Sequence, residues 1–306
     1  MNKLDECSIA VKMDMSYPLS ELSVLTFVTW CLHIGLKASS INTYLSGLKL
    51  GHKIRGLKAP NLRTEWVNVV LTGGSNRDMI ECNPKARLPC TLNMLKLIKA
   101  ELKLANLLPV MKTLIFAACT TAFYGGCRMG ELLCKKKGSY DHRFTLIRED
   151  ISINTTCIFG RETKYLRFKV KHSKTNKSGV DEILDIYETG NESCPIRAIE
   201  KHLRATKNLP KAYPLFCDDK GAPLIESALN RHLKILLSKH LNGINGAVSC
   251  HSFRYGLISL FAALGHGAEF LKQVGRWSSR SYEIYVKLGR ANRAEMAKVY
   301  SDFFNE

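Results

Sequence analysis

YLRFKVKHSKTNKSGVDEILDIY, residues 165–187, reads as two strands around a turn. In its first half Leu166, Phe168 and Val170 alternate with Arg167, Lys169 and Lys171. That period of two gives a strand with one buried face. SKTNKSG supplies turn chemistry, and VDEILDIY returns as the partner strand. Just upstream, RFTLIREDISI (143–153) is a further short β-rich run. The rest of the chain reads helical. The expected fold class is therefore mainly α with a small antiparallel β-sheet, an α+β chain.

Upstream, PLSELSVLTFVTWCLHIG opens on proline and serine and stops at glycine, the punctuation of a helix. ASSINTYLSGLKLGHKIRG places Ile41, Tyr44, Leu45 and Leu48 at helical spacing. RTEWVNVVLTGG reads as a third, short helix ended by two glycines. SNRDMIECNPKARLP then reads as a linker, with Arg77, Lys85 and Arg87 suited to lie along a phosphate backbone. TLNMLKLIKAELKLAN and PVMKTLIFAACTTAFYGG open a second unit, the latter so apolar that it must be buried. Beyond Cys194 the pattern is helical again, through SCHSFRYGLISLFAALG to RAEMAKVYSDFF. The organisation expected is a helical domain over 1–75, a linker over 76–90 and a larger domain over 91–306.

The chain has 306 residues, of which 45% are hydrophobic, enough to build a folded core in each of two domains. No apolar run reaches the roughly 18 residues that span a bilayer, and the acidic N-terminus is no secretory signal. The net charge of +18 suits a polyanionic partner, because cationic side chains release condensed counterions from phosphates. Eleven cysteines lie at irregular spacings without a CxxC pair, which points to reduced, buried thiols and an intracellular protein. No phosphate-binding glycine loop and no HExxH is present, so neither a nucleotide nor a structural metal is expected; spacing alone leaves a trio of metal-binding carboxylates open, but no acidic cluster suggests one.

Polar and cationic residues set among apolar ones carry the chemistry. Arg128, in YGGCRMGELL, follows the buried helix; its plain reading is an ion pair with Glu131, one turn on. His251 and Arg254 share a helix face at i, i+3 and fit an anion; the plain reading is a capping histidine beside a surface arginine. Lys169, Lys171, Lys174 and Lys177 form a lysine-rich hairpin that could equally be a solvated face. Tyr285, in RSYEIYVK, follows Arg276 and Trp277, and tyrosines at such spacing more often pack than react.

Taken together and in this order, the segments YGGCRMGELL, VKHSKTNKSG, HSFRYG and VGRWSSRSYEIYV resemble the tyrosine recombinase (phage integrase) family. The wording SKT, CPIRAIEKHL, PLF and HSFR…GRWSS…YV is closest to eukaryotic transposon recombinases of the Crypton and DIRS kind. The resemblance covers roughly residues 90–290, and the N-terminal helices are similar to that family's SAM-like core-binding domain. It implies a site-specific recombinase or integrase acting on double-stranded DNA without metal, nucleotide or other cofactor. Tyr285 would attack phosphorus and form a 3′-phosphotyrosine link. His251 would share the phenolic proton, Arg128 and Arg254 would clamp the phosphate oxygens, and Lys174 would protonate the leaving 5′-oxygen. Lys171 and Lys177 stay open as rivals for that last role, and Tyr282 as a rival nucleophile. Glu131 would orient Arg128 or His251. The family's further His or Trp lies nine residues before the tyrosine, where this chain has Arg276; Trp277, one residue on, is preferred for the contact and Arg276 remains open. A C-terminal helix from Arg290 to Phe304 that packs into a neighbouring protomer, a homotetramer on paired DNA sites and the nucleus of a eukaryotic host are implied in the same way. A type IB topoisomerase-like strand relaxer and a domesticated, non-catalytic DNA-binding protein are the competing readings.

Overall fold

The structure, a computed structural model of the chain, describes residues 2–81, 86–136, 138, 140–171, 182–242, 246–277 and 282–283. The chain divides into two compact units, residues 1–84 and 85–306.

The first unit is helical: α1 (Lys3–Val11), α2 (Glu21–His33), α3 (Ala38–Ile54) and α4 (Glu65–Glu81). Local chemistry starts each helix where orphan amides need acceptors. The Asn2 side chain takes the Leu4 and Asp5 N–H groups, and Ser20 Oγ takes that of Ser23. Phe27, Ile41, Leu45, Val67 and Leu71 fill the core. The helix ended by two glycines proves longer than the sequence suggests, because α4 continues to Glu81 and takes in residues 76–81 of the expected linker. Gly74 is there to allow contact: a Cβ on it would lie 2.5 Å from Leu32 Cδ2 of α2. Arg77 then closes the end of α2, donating to Leu32 O at 2.9 Å and Leu36 O at 3.4 Å. Asp78 receives the Ala38 N–H at the start of α3, at 2.7 Å. Arg77 thus serves helix ends rather than lying along a phosphate backbone; the side chains of Lys85 and Arg87 lie outside the described residues.

The second unit runs β1 (Ala86–Arg87), α5 (Leu92–Leu104), α6 (Pro109–Tyr124), α7 (Met129–Leu132), a 3₁₀ turn (Arg148–Asp150), β2 (Ile151–Ile158), β3 (Arg161–Val170) and β4 (Glu182–Tyr187). It continues with α8 (Pro195–Ala205), α9 (Glu226–Leu237), β5 (Gly246–Ala247), α10 (Cys250–Ala263) and α11 (Ala268–Gly275). The unit is mainly helical with one three-stranded antiparallel sheet, β2-β3-β4, and a short parallel pair, β1-β5. Leu166, Phe168 and Val170 all face the core at 3% exposure or less, as their alternation requires. Each such side chain stabilises the fold by about 1.5–3 kcal/mol. Lys171 departs from the pattern: its side chain is half-buried and bonds Asp150 Oδ2 at 2.6 Å and His142 O at 2.8 Å. The sheet also reaches further than expected. What reads as one strand over 143–153 is a 3₁₀ turn followed by β2, which pairs with β3 across a tight turn at Phe159 and Gly160. SINTTCI has no clean alternation, since neither face of β2 is fully buried, so its sequence signal is weak.

Helix α6 forms the centre, buried along most of its length from Leu114 to Phe123, with α5, α8 and α10 against it. Helix α10 is locked to the segment before α5. A Cβ on Gly256 would sit 1.7 Å from Cys90 O, a backbone atom that cannot move aside, and Cys90 N–H donates to Ser252 O at 2.8 Å. The apolar body of α10 buries only as far as Ser259, and Leu264, just past its end, is 46% exposed. Of the described cysteines nine are buried and Cys157 is exposed, and all ten are free thiols. No described helix is long and apolar enough to cross a membrane.

Candidate active site

Three separate segments meet where α6 ends. Gly125 caps α6, and Gly126, at φ +54°, turns the chain in a conformation that favours glycine. The turn aims the Gly126 carbonyl at two arginines. Arg254, from the second turn of α10, donates to it at 2.9 Å, and Arg276, just past α11, at 3.4 Å. Arg254 is 5% exposed and also donates to Gly275 O. The Trp277 ring lies 4.8 Å below its guanidinium carbon, a cation–π contact. Gly275 makes room for that ring: a Cβ there would meet Trp277 Cζ3 at 2.0 Å.

The chain then passes to Arg128 and α7. Glu131 receives the Arg128 backbone N–H at 2.9 Å and its Nη1 at 3.0 Å, the i, i+3 pair that the spacing suggests. Its carboxylate is 2% exposed and also pairs with Arg276 Nη2 at 2.5 Å. Arg276 Nη1 reaches Glu182 Oε2 at 3.3 Å, at the start of β4. A buried carboxylate needs this many donors to offset its lost hydration. Five charged groups therefore converge among the described residues, Arg128, Arg254 and Arg276 against Glu131 and Glu182. Cys127 sits among them fully buried, and burial pushes its thiol up to about 12. It stays protonated and is no nucleophile at neutral pH.

His251 is exposed on the first turn of α10, so the i, i+3 pair divides: the histidine faces out and the arginine faces in. The Asn230 side chain of α9 accepts the Cys250 N–H at 2.8 Å and fixes that turn. Tyr282 has Lys272 Nζ 5.6 Å over its ring. Tyr285, Lys174 and Lys177 lie outside the described residues, as does the segment from Arg290 to Phe304. Glu182 and Asn230 escape the sequence reading. Glu182 carries no signal of its own, since a lone acidic residue at the start of a strand is ordinary. Asn230 had a weak signal, an amide beside the buried stripe of a helix. The arrangement gathers three rigid, always-charged forks at one place, the donor chemistry that suits phosphate oxygens.

Neither a family model nor a curated protein matches the sequence. Solved structures do. The XerH site-specific recombinase bound to a palindromic difH substrate, a post-cleavage complex, matches with a TM-score of 0.59 at 11% identity, over 97% of this chain and 76% of that one. The Tn1549 transposon integrase in complex with transposon right end DNA gives 0.55 at 16% identity, over 97% and 92%. A lambda integrase dimer bound to a COC′ core site gives 0.50 at 13% identity, over 92% and 70%. These neighbours are tyrosine recombinases and integrases, and what the chain shares with them is the fold.

Proposed function

We propose that the chain is a site-specific DNA recombinase or integrase that cleaves and rejoins strands through a 3′-phosphotyrosine intermediate. The observation that carries this reading is the convergence of Arg128, Arg254 and Arg276 at the end of α6, in a fold shared with DNA-bound recombinases. A free phenol, with a pKa of about 10, is a poor nucleophile at neutral pH, so that of Tyr285 attacks phosphorus as His251 takes its proton. Arg128 and Arg254 hold the oxygens on which charge grows, and the cluster fixes both forks beforehand. The 5′-oxygen leaves with a proton from Lys174, and the phosphodiester energy stays in the tyrosine link for resealing. Lys171 is the weaker candidate acid, since it is engaged with Asp150. The sequence motifs favour kinship with Crypton and DIRS elements, a nuclear site of action and a homotetramer on paired DNA sites.

The test uses nicked duplexes of random sequence and looks for a protein–DNA adduct stable to denaturant. Wild-type protein forms the adduct, and sequencing its DNA gives the target. Tyr285→Phe abolishes the adduct and keeps salt-dependent DNA binding. An adduct that survives this change overturns the nucleophile. A protein that relaxes plasmids as a single copy is a topoisomerase instead.

A further inference from the structure

We propose that Arg276 is a positioning residue that ties the first arginine, the strand after the lysine-rich segment and the chain before Tyr285 into one unit. The inference rests on the recombinase reading. The resemblance to known recombinases puts a phosphate-contacting side chain at this position. Here the side chain turns inward instead, 7% exposed, and spends its fork on Glu131 and Glu182.

The two carboxylates lead to different parts of the site. Glu131 holds Arg128 through its other oxygen and through the Arg128 backbone N–H. Glu182 opens β4 directly opposite Val170, the rung from which the chain departs into residues 171–181 and to which it returns. The departing end is held by Lys171 on Asp150, and the returning end by Arg276 on Glu182. Lys174 lies between these anchors in sequence. Tyr285 follows Arg276 by nine residues.

The local costs at Arg276 support a specific role. Its backbone is left-handed at φ +49°, which disfavours any residue with a Cβ. Its Nε is buried without an acceptor among the described residues. A side chain kept only to end α11 would need neither cost, since a glycine fits that position better.

The experiment is a double-mutant cycle on adduct formation with Arg276→Gln and Glu182→Gln. A misplacement of about 1 Å costs on the order of 100-fold in rate, so Arg276→Gln slows the adduct about that much while DNA affinity stays within about two-fold. Glu182→Gln slows it less, and the double variant is no slower than Arg276→Gln alone. A duplex with sulfur in place of the bridging 5′-oxygen adds a readout that mere loss of folding does not move. A thiolate leaves without protonation, so this substrate restores the Glu182→Gln rate toward wild type.

Losses that multiply overturn the proposal, as does a Glu182→Gln defect unchanged on the sulfur substrate. A shallower salt dependence of DNA binding in Arg276→Gln makes Arg276 a direct phosphate contact and overturns it too. Should Arg276→Gln fail to fold, Arg276→Lys takes its place in the cycle. If wild-type protein forms no adduct, the recombinase reading fails on its own. The same cycle read by thermal unfolding then decides whether Arg276 and Glu182 act as one unit.

Discussion

Arg77, half-buried, and Arg254, buried, both end on backbone carbonyls, yet they belong to different kinds of place. Around Arg77 the partners are helix ends: Asp78 stands 3.4 Å away, and the two residues close the end of α2 and the start of α3. Around Arg254 they are other functional candidates. Arg128 and Arg276 share the site with Glu131 and Glu182, gathered from segments far apart in the chain. An arginine at a helix end is architecture. Arginines gathered around buried carboxylates from distant segments make a site.

The contrast breaks most readily at Arg254. On the proposed function, replacing it with glutamine would remove a fixed donor to the transition-state oxygens, so adduct formation should fall by about 10²- to 10³-fold. Far-ultraviolet circular dichroism should show the fold retained. A rate within a few-fold of wild type would put Arg254 beside Arg77 as architecture.

His202 sharpens the contrast from the other side, as a buried basic group that can give up its charge. It is fully buried, with Nε2 3.0 Å from Leu215 O. Burial pulls its pKa down to about 4, the Leu215 carbonyl offsets part of that, and Arg148 adds to it. Between pH 6.5 and 4 the unfolded chain binds a proton that the folded chain refuses. This contribution is therefore fully present above about pH 7 and lost as pH falls toward 4, by up to about 3 kcal/mol. Urea unfolding at pH 7.5 and pH 4.5 measures it, and His202→Asn should flatten the difference. The arginines have no such exit, since they stay charged at every working pH.

The smallest effect belongs to Arg77 itself. Arg77→Gln should lower stability by about 1–2 kcal/mol through lost carbonyl bonds and leave the adduct rate of folded protein unchanged. A slowed rate at full occupancy of the folded state would assign the first unit a part in the chemistry.

Much of this was legible in the sequence, for reasons that differ by element. The alternation in YLRFKVKH placed Leu166, Phe168 and Val170 inward, because a strand with one buried face must repeat every two residues. The apolar run of α6 could only be buried, and Glu131 stands at a spacing that lets it reach Arg128. The stop at Gly73–Gly74 misled, because glycine serves both as a terminator and as a thin spot between helices. Only the neighbour, Leu32, distinguishes the two uses.

By itself the sequence determined the periodic elements, the local caps and the ion pair one turn apart, all set by chemistry within a few residues. Tertiary structure alone decided that His251 is exposed while Arg254 is buried, and that Lys171 is spent on Asp150. It also decided that Arg276 turns inward to Glu131 and Glu182, residues 145 and 94 positions away. Spacing along the chain says which groups can share a face. Which of them are desolvated together depends on packing, and desolvation gives those charges their strength.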